Sequence, residues 1–248
     1  MLAHDPFAPR PIRALFVDVG GVVVVPNGAT IAAAMEAAAP GVIVDATAAD
    51  RAHHVGIAAL DAGVRGGTDP SWAAYFAAWA MVAGVDPGHL RSVVPAALGL
   101  MSLPSDGVWD EVRPGAHEGL AVLAELDIPL IVVSNSDGRV EVLLQRLELC
   151  QVGAGSGTEF RAILDSHIVG STKPHAGIFL MACEIAGVEP ADTAHIGDTE
   201  CMDIVGAMAA GVRPVHIDPH GLAMGVEDGV DRVADLAGLA ALVRRSWA

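Results

Sequence analysis

One carboxylate set inside a long apolar run constrains this chain more than any other feature: Leu15-Phe16-Val17-Asp18-Val19-Gly20-Gly21-Val22-Val23-Val24-Val25. Short β-branched runs of this kind read as strand. A carboxylate buried beside a sheet is costly unless charge or hydrogen bonds meet it. The Gly20-Gly21 pair frees the backbone for a tight turn that can close around a small anion. Asp18 therefore reads as a nucleophile or a metal ligand, with a strand-ending aspartate in a glycine turn as the alternative.

Beyond Val25 the chain divides into two kinds of pattern. Pro26-Asn27-Gly28 breaks the strand pattern, and from Thr30 to about Leu103 the sequence predicts helices joined by short turns. Asp69-Pro70 and Asp86-Pro87 each set an N-cap before a proline, and Gly84 ends the helix between them. Trp72, Tyr75, Phe76 and Trp79 share one face of that helix; the stripe packs the core of the helical lobe or, in part, walls a cleft. His53 and His54 are adjacent, so they are not expected both to face the core.

Pro104-Ser105-Asp106-Gly107 forms a second hinge, after which strand and helix alternate. Strands are predicted at Leu130 to Val133, Thr193 to Ile196 and Val212 to Ile217, with a short segment at Ile163 to Val169. Helices are predicted from Pro114 to Leu126, Arg139 to Leu149, Pro174 to Gly187, up to Ala210 and near Leu236 to Arg244. The alternation predicts an α/β fold with a doubly wound, Rossmann-like parallel sheet. Residues 1–25 and 109–248 are assigned to that core and 26–108 to a small helical lobe joined to it at two points, as a lid would be.

Composition excludes several classes of function. The chain has 248 residues, 52% of them hydrophobic, with thirty acids against fourteen bases and a formal charge of −16. That charge repels nucleic-acid backbones and anionic lipid, so neither partner is expected, and an anionic small substrate needs local help. Cys150, Cys183 and Cys201 have no metal-ligand spacing and suggest buried thiols. The N-terminal residues, with His4, Asp5 and Arg10 among three prolines, do not read as a signal peptide, and no run approaches the length of a membrane span; a cytoplasmic location is the expectation. Lys173 is the only lysine.

In a doubly wound sheet, sites lie beyond the carboxyl ends of the strands. Asp18, Ser134, Asn135, Lys173 and Asp198 all fall at such ends or just after them. Each also has a plainer reading: Ser134, Asn135 and Asp198 as helix caps, Lys173 as a solvated residue before Pro174.

Four stretches in order resemble the haloacid dehalogenase-like hydrolase superfamily, over nearly the whole chain. They are Phe16-Val17-Asp18-Val19-Gly20-Gly21-Val22; Val133-Ser134-Asn135-Ser136; Val169 to Phe179 around Lys173-Pro174; and His195-Ile196-Gly197-Asp198-Thr199-Glu200-Cys201-Met202-Asp203 followed by Gly206-Ala207. Arg113-Pro114-Gly115-Ala116 is a weaker match, and the helical insert is similar to the family's first type of cap. The resemblance implies a phosphatase-like enzyme in which Asp18 attacks phosphorus and Mg²⁺ is held by Asp18, the Gly20 carbonyl and Asp198. It implies that Ser134 and Lys173 act on the phosphoryl group, with Gly21 and Asn135 also contacting substrate, and that Asp203 supports the site from behind. The expected substrate is a small phosphorylated metabolite.

The chain departs from the family pattern at Gly20, where phosphatases of the family carry a second Asp as general acid and base. Loss of such a group is worth about 10²–10⁴ in rate. A metal-independent 2-haloacid dehalogenase and a catalytically impaired binding or regulatory protein are therefore the competing readings. Retention of the Gly197-Asp198 pair opposes the first, and joint retention of Asp18, Lys173 and Asp198 opposes the second.

Overall fold

The computed structural model describes residues 11–103, 108–222 and 229–247. The hinge expected at Pro104 to Gly107 and the residues before Pro11 lie outside these.

Six parallel strands form the central sheet: β1 (Ala14–Val17), β4 (Leu130–Ser134), β7 (Ala162–Asp165), β8 (Thr193–Gly197), β9 (Arg213–Ile217) and β10 (Asp231–Val233). Their order across it is β10-β9-β8-β1-β4-β7. The chain builds outward on one side of β1 and then returns to build on the other. The strand order therefore reverses beside β1, where α/β sheets open a crevice at their carboxyl ends.

Alternation along the strands sets two layers. Leu15, Val17, Leu130 and Val132 face one cluster, with Leu120 and Leu123 of α5 (Ala116–Ala124), Leu144 of α6 (Val140–Arg146) and Leu239 of α10 (Leu236–Leu242). Ala14, Phe16, Ile131 and Val133 face the other, with Ile178 and Phe179 of α8 (Ala176–Ala186) and Ala207 of α9 (Val205–Ala210). A strand apolar on both faces is what a parallel sheet covered by helices requires.

The 15–25 run is not one strand. β1 ends at Val17, and β2 is only Val24–Val25, paired antiparallel with β3 (Glu111–Val112). Between them the amides of Val22, Val23 and Val24 all turn to the Val19 carbonyl, and Gly21 adopts φ +66°. The glycines override the β-branched propensity and set Asp18 on the rim of the sheet. The sequence pattern also misses β5 (Cys150–Val152) paired with β6 (Thr158–Phe160), and β10; runs of three residues are too short for a period of two to register. The segment at Ile163 to Val169 splits into β7 and the one-turn α7 (Ser166–Val169).

Between β2 and β3 run α1 (Gly28–Ala38), α2 (Ala49–Arg65), α3 (Trp72–Val82) and α4 (Leu90–Leu100). Ile31, Met35, Tyr75, Phe76, Trp79 and Val93 form a core of their own there. Among the described residues no helix is long and apolar enough to cross a membrane.

Candidate active site

Three strand ends and one loop converge on a cavity of about 460 Å³ lined by Asp18, Gly20, Ser134, Asn135, Lys173 and Asp198, together with apolar residues of the helical insert. Asp18 follows β1, Ser134 closes β4 and Asp198 follows β8, so parallel register alone places them side by side. Lys173 reaches in from the loop before α8. Its Nζ lies 2.7 Å from Asp18 Oδ1 and 2.6 Å from Asp203 Oδ1.

Asp203 anchors this row from below and is fully buried. Its Oδ1 also accepts from His195 Nε2 at 2.8 Å, and its Oδ2 accepts from the Thr199 amide at 3.1 Å and from the Thr199 hydroxyl. A π-helical turn, Glu200–Ile204, aims the carboxylate inward. Burial alone would raise Asp203, but Lys173 and His195 hold it well below the usual carboxylate range. Burial likewise disfavours the Lys173 ammonium, yet Asp18 and Asp203 hold it above the ordinary lysine value. The pair is charged at every physiological pH.

Asp18 and Asp198 stand in the opposite condition. Burial pushes Asp18 up to about 7 against the pull of Lys173, and burial with the nearby Asp203 pushes Asp198 up to about 8. Oxygens of Asp18, Asp198 and Asp203 lie within 4.8 Å of one another. Buried carboxylates this close repel one another, and a hard cation with oxygen ligands relieves that repulsion. The donor set fits Mg²⁺.

Two of the expected substrate-contacting residues carry structural bonds of their own. The Gly21 amide donates to the Val24 carbonyl at 2.8 Å. Its importance is steric: a Cβ there would lie 2.0 Å from Asp198 Oδ2. Asn135 spends its side-chain amide on the Lys173 backbone, accepting from its N–H at 2.8 Å and donating to its carbonyl at 3.0 Å. From the wall of the cavity it thereby positions the lysine loop. Ser134 is buried and lines the cavity, and Gly20 lines it beside Asp18.

Both histidines expected to divide between core and surface are buried. The reason is that α2 lies between α3 and the loop after β8, so two neighbouring positions on it are both covered. His53 reaches across to the core: its Nε2 lies 2.8 Å from Asp198 Oδ2 and its Nδ1 2.8 Å from the Tyr75 hydroxyl. Burial pushes His53 down to about 3, so the ring is neutral and carries one N–H. With Asp198 ionised, Nε2–H donates to it and Nδ1 accepts from Tyr75. Asp61, two turns further along α2, accepts from the Glu200 and Cys201 amides at 2.9 and 3.0 Å, and Arg65 pairs with Glu200. His53, Ile57, Asp61 and Arg65 recur every fourth residue on one helix face, the one signal in the sequence that marked this clasp.

A sequence model of haloacid dehalogenase-like hydrolases matches residues 12–211. The chain belongs to this family of hydrolases. Among its curated relatives is haloacid dehalogenase-like hydrolase domain-containing protein 3 of Bos taurus, 34% identical over 155 residues, a match covering 62% of this chain and 59% of that protein. A phosphoglycolate phosphatase of Chromobacterium violaceum is 30% identical over 129 residues, covering 50% of this chain and 54% of that one. The matched stretches thus span less than two thirds of these relatives. Among solved structures, a 2-haloacid dehalogenase from Pseudomonas syringae aligns over 96% of this chain and 100% of its own, with TM-score 0.54 and 23% identity. That likeness is one of fold, which this haloacid dehalogenase-like hydrolase shares with enzymes of more than one chemistry.

Proposed function

We propose that the protein is a Mg²⁺-dependent phosphomonoester hydrolase working through an aspartyl phosphate on Asp18, with the insert of residues 26–108 as its cap. The observation that carries this reading is the row Asp203–Lys173–Asp18 with Asp198 beside it in one cavity. Phosphoryl transfer needs an in-line nucleophile and neutralisation of the phosphoryl oxygens. Asp18 and Asp198, with the Gly20 carbonyl, would hold the metal, which supplies charge neutralisation and orientation of the phosphoryl group when bound.

Lys173 holds the Asp18 carboxylate in place and presents positive charge to the phosphoryl oxygens, while Ser134 offers a hydroxyl to them. An Asp18 oxygen attacks phosphorus, the bond from phosphorus to the ester oxygen breaks, and the leaving oxyanion takes its proton from solvent, because Gly20 offers no acid. Water then attacks phosphorus, the bond to Asp18 breaks, and inorganic phosphate leaves with the carboxylate restored.

A metal-independent dehalogenase would leave the carboxylate of Asp198, within 4.8 Å of Asp18 and Asp203, with no cation to serve. This disfavours dehalogenation. The names of curated relatives, among them phosphoglycolate phosphatase, are consistent with the reading. The test is a panel of phosphate esters assayed with Mg²⁺ and with EDTA beside a chloroacetate control. Phosphate release that needs the metal is expected; chloride release persisting in EDTA, with no phosphate from any ester, would overturn it.

A further inference from the structure

The cavity changes character away from Asp18. Its upper wall is made by Ile57, Trp72, Met101, Trp109, Leu143 and Met202. Met101 and Leu103 carry the apolar surface outward and are exposed at 37% and 49%. Trp109 lies across Gly20, where a Cβ would sit 3.4 Å from its ring, and meets Trp72 edge-on at 6.2 Å. The room a second aspartate would fill beside the nucleophile is thus faced by indole. Among the described residues, Lys173 is the only lysine or arginine lining the cavity.

Resting on the phosphatase reading, we infer that the substrate is the phosphate monoester of an uncharged aromatic hydroxyl compound, its ring seated against Trp109 and Trp72. Three observations converge on it. The volume falls in the range that encloses most of a small organic ligand. A second anionic group on the substrate would find, among the described residues lining the cavity, no lysine or arginine besides Lys173, which already serves Asp18 and Asp203, and a buried charge without a partner is expensive. An aryl oxide leaves without being protonated, which suits a site with Gly20 where an acid would stand. Phosphoglycolate, with its carboxylate and alkyl leaving group, fits neither of the last two.

The test compares phenylphosphonate with phosphonoacetate by titration calorimetry on the Mg²⁺-loaded protein, and phenyl phosphate with 4-carboxyphenyl phosphate in turnover. Phenylphosphonate should bind at least about tenfold more tightly, a ratio equivalent to about 1.4 kcal/mol. Phenyl phosphate should have the higher kcat/KM although its leaving group is the poorer one. Trp72→Leu should narrow the phosphonate ratio. Equal or tighter binding of phosphonoacetate, preference for the carboxylated ester, or a ratio unmoved by Trp72→Leu would overturn the inference. If neither phosphonate binds and no ester releases phosphate, the phosphatase reading itself falls, a result distinct from a reversed preference.

Discussion

Burial pushes Asp18 up to about 7 and Asp198 up to about 8 when no cation is bound, so protons compete for both carboxylates near neutrality. Carboxylates raised above their unfolded values add stability that is complete below the ordinary carboxylate pKa and is lost as pH rises through the folded values. The metal-free protein should therefore lose stability between about pH 4 and pH 8 through these two groups. Cation binding must release the protons, so Mg²⁺ affinity should rise with pH across the same two values. Calorimetry in buffers of differing ionisation enthalpy should show that release, and Mg²⁺ should raise Tm more above pH 8 than below pH 7. A pH-independent affinity would contradict the paired-ligand assignment. At Gly20 the backbone is not in the left-handed region, in contrast to Gly21, and a Cβ there comes within 4 Å of the Trp109 ring alone. Gly20→Asp should fold, and should speed hydrolysis of alkyl phosphates by about tenfold or more while leaving aryl phosphates nearly unchanged. An equal effect on both classes would show that protonation of the leaving group is not what Gly20 lacks.

The elements were legible in proportion to their periodicity. β1, β4, β8 and β9 stand out because each is a buried strand of four or five residues bounded by turn chemistry. The ends of β1, β4 and β8 carry Asp18, Ser134 and Asp198, so most of the candidate site was readable before its geometry was. What the sequence hid depends on contacts between distant segments. His53 meets a residue 145 positions away and Asp61 one 139 away, and apolar periodicity carries no record of either. The bonds of the Gly21 and Asn135 amides were hidden for the same reason: their partners belong to a folded turn and to the Lys173 loop. The α2 clasp makes an ordered prediction. Asp61→Ala strands two backbone N–H groups and should cost about 1–3 kcal/mol. Arg65→Ala removes a part-exposed ion pair worth less than about 1 kcal/mol. Urea denaturation giving the reverse order would show that the clasp is held from its exposed end.

Across the whole molecule, a formal charge of −16 surrounds a site proposed to take a phosphate dianion. One buried lysine, fixed by Asp203 and by the Asn135 bonds to its backbone, offsets that field locally. The helical insert closes the cavity with apolar and aromatic residues, and His53 joins it to Asp198 across the cleft. One imidazole thus spans from the insert to the candidate metal ligand. The proposed chemistry requires that Asp18 take the phosphoryl group. Protein mixed with p-nitrophenyl phosphate and Mg²⁺, quenched in acid within the first turnover and digested, should carry one phosphoryl group on the peptide containing Asp18. The group should disappear in Asp18→Asn and in EDTA. Burst release of p-nitrophenol with no phosphoryl group on that peptide, or with one on another residue, would contradict the account.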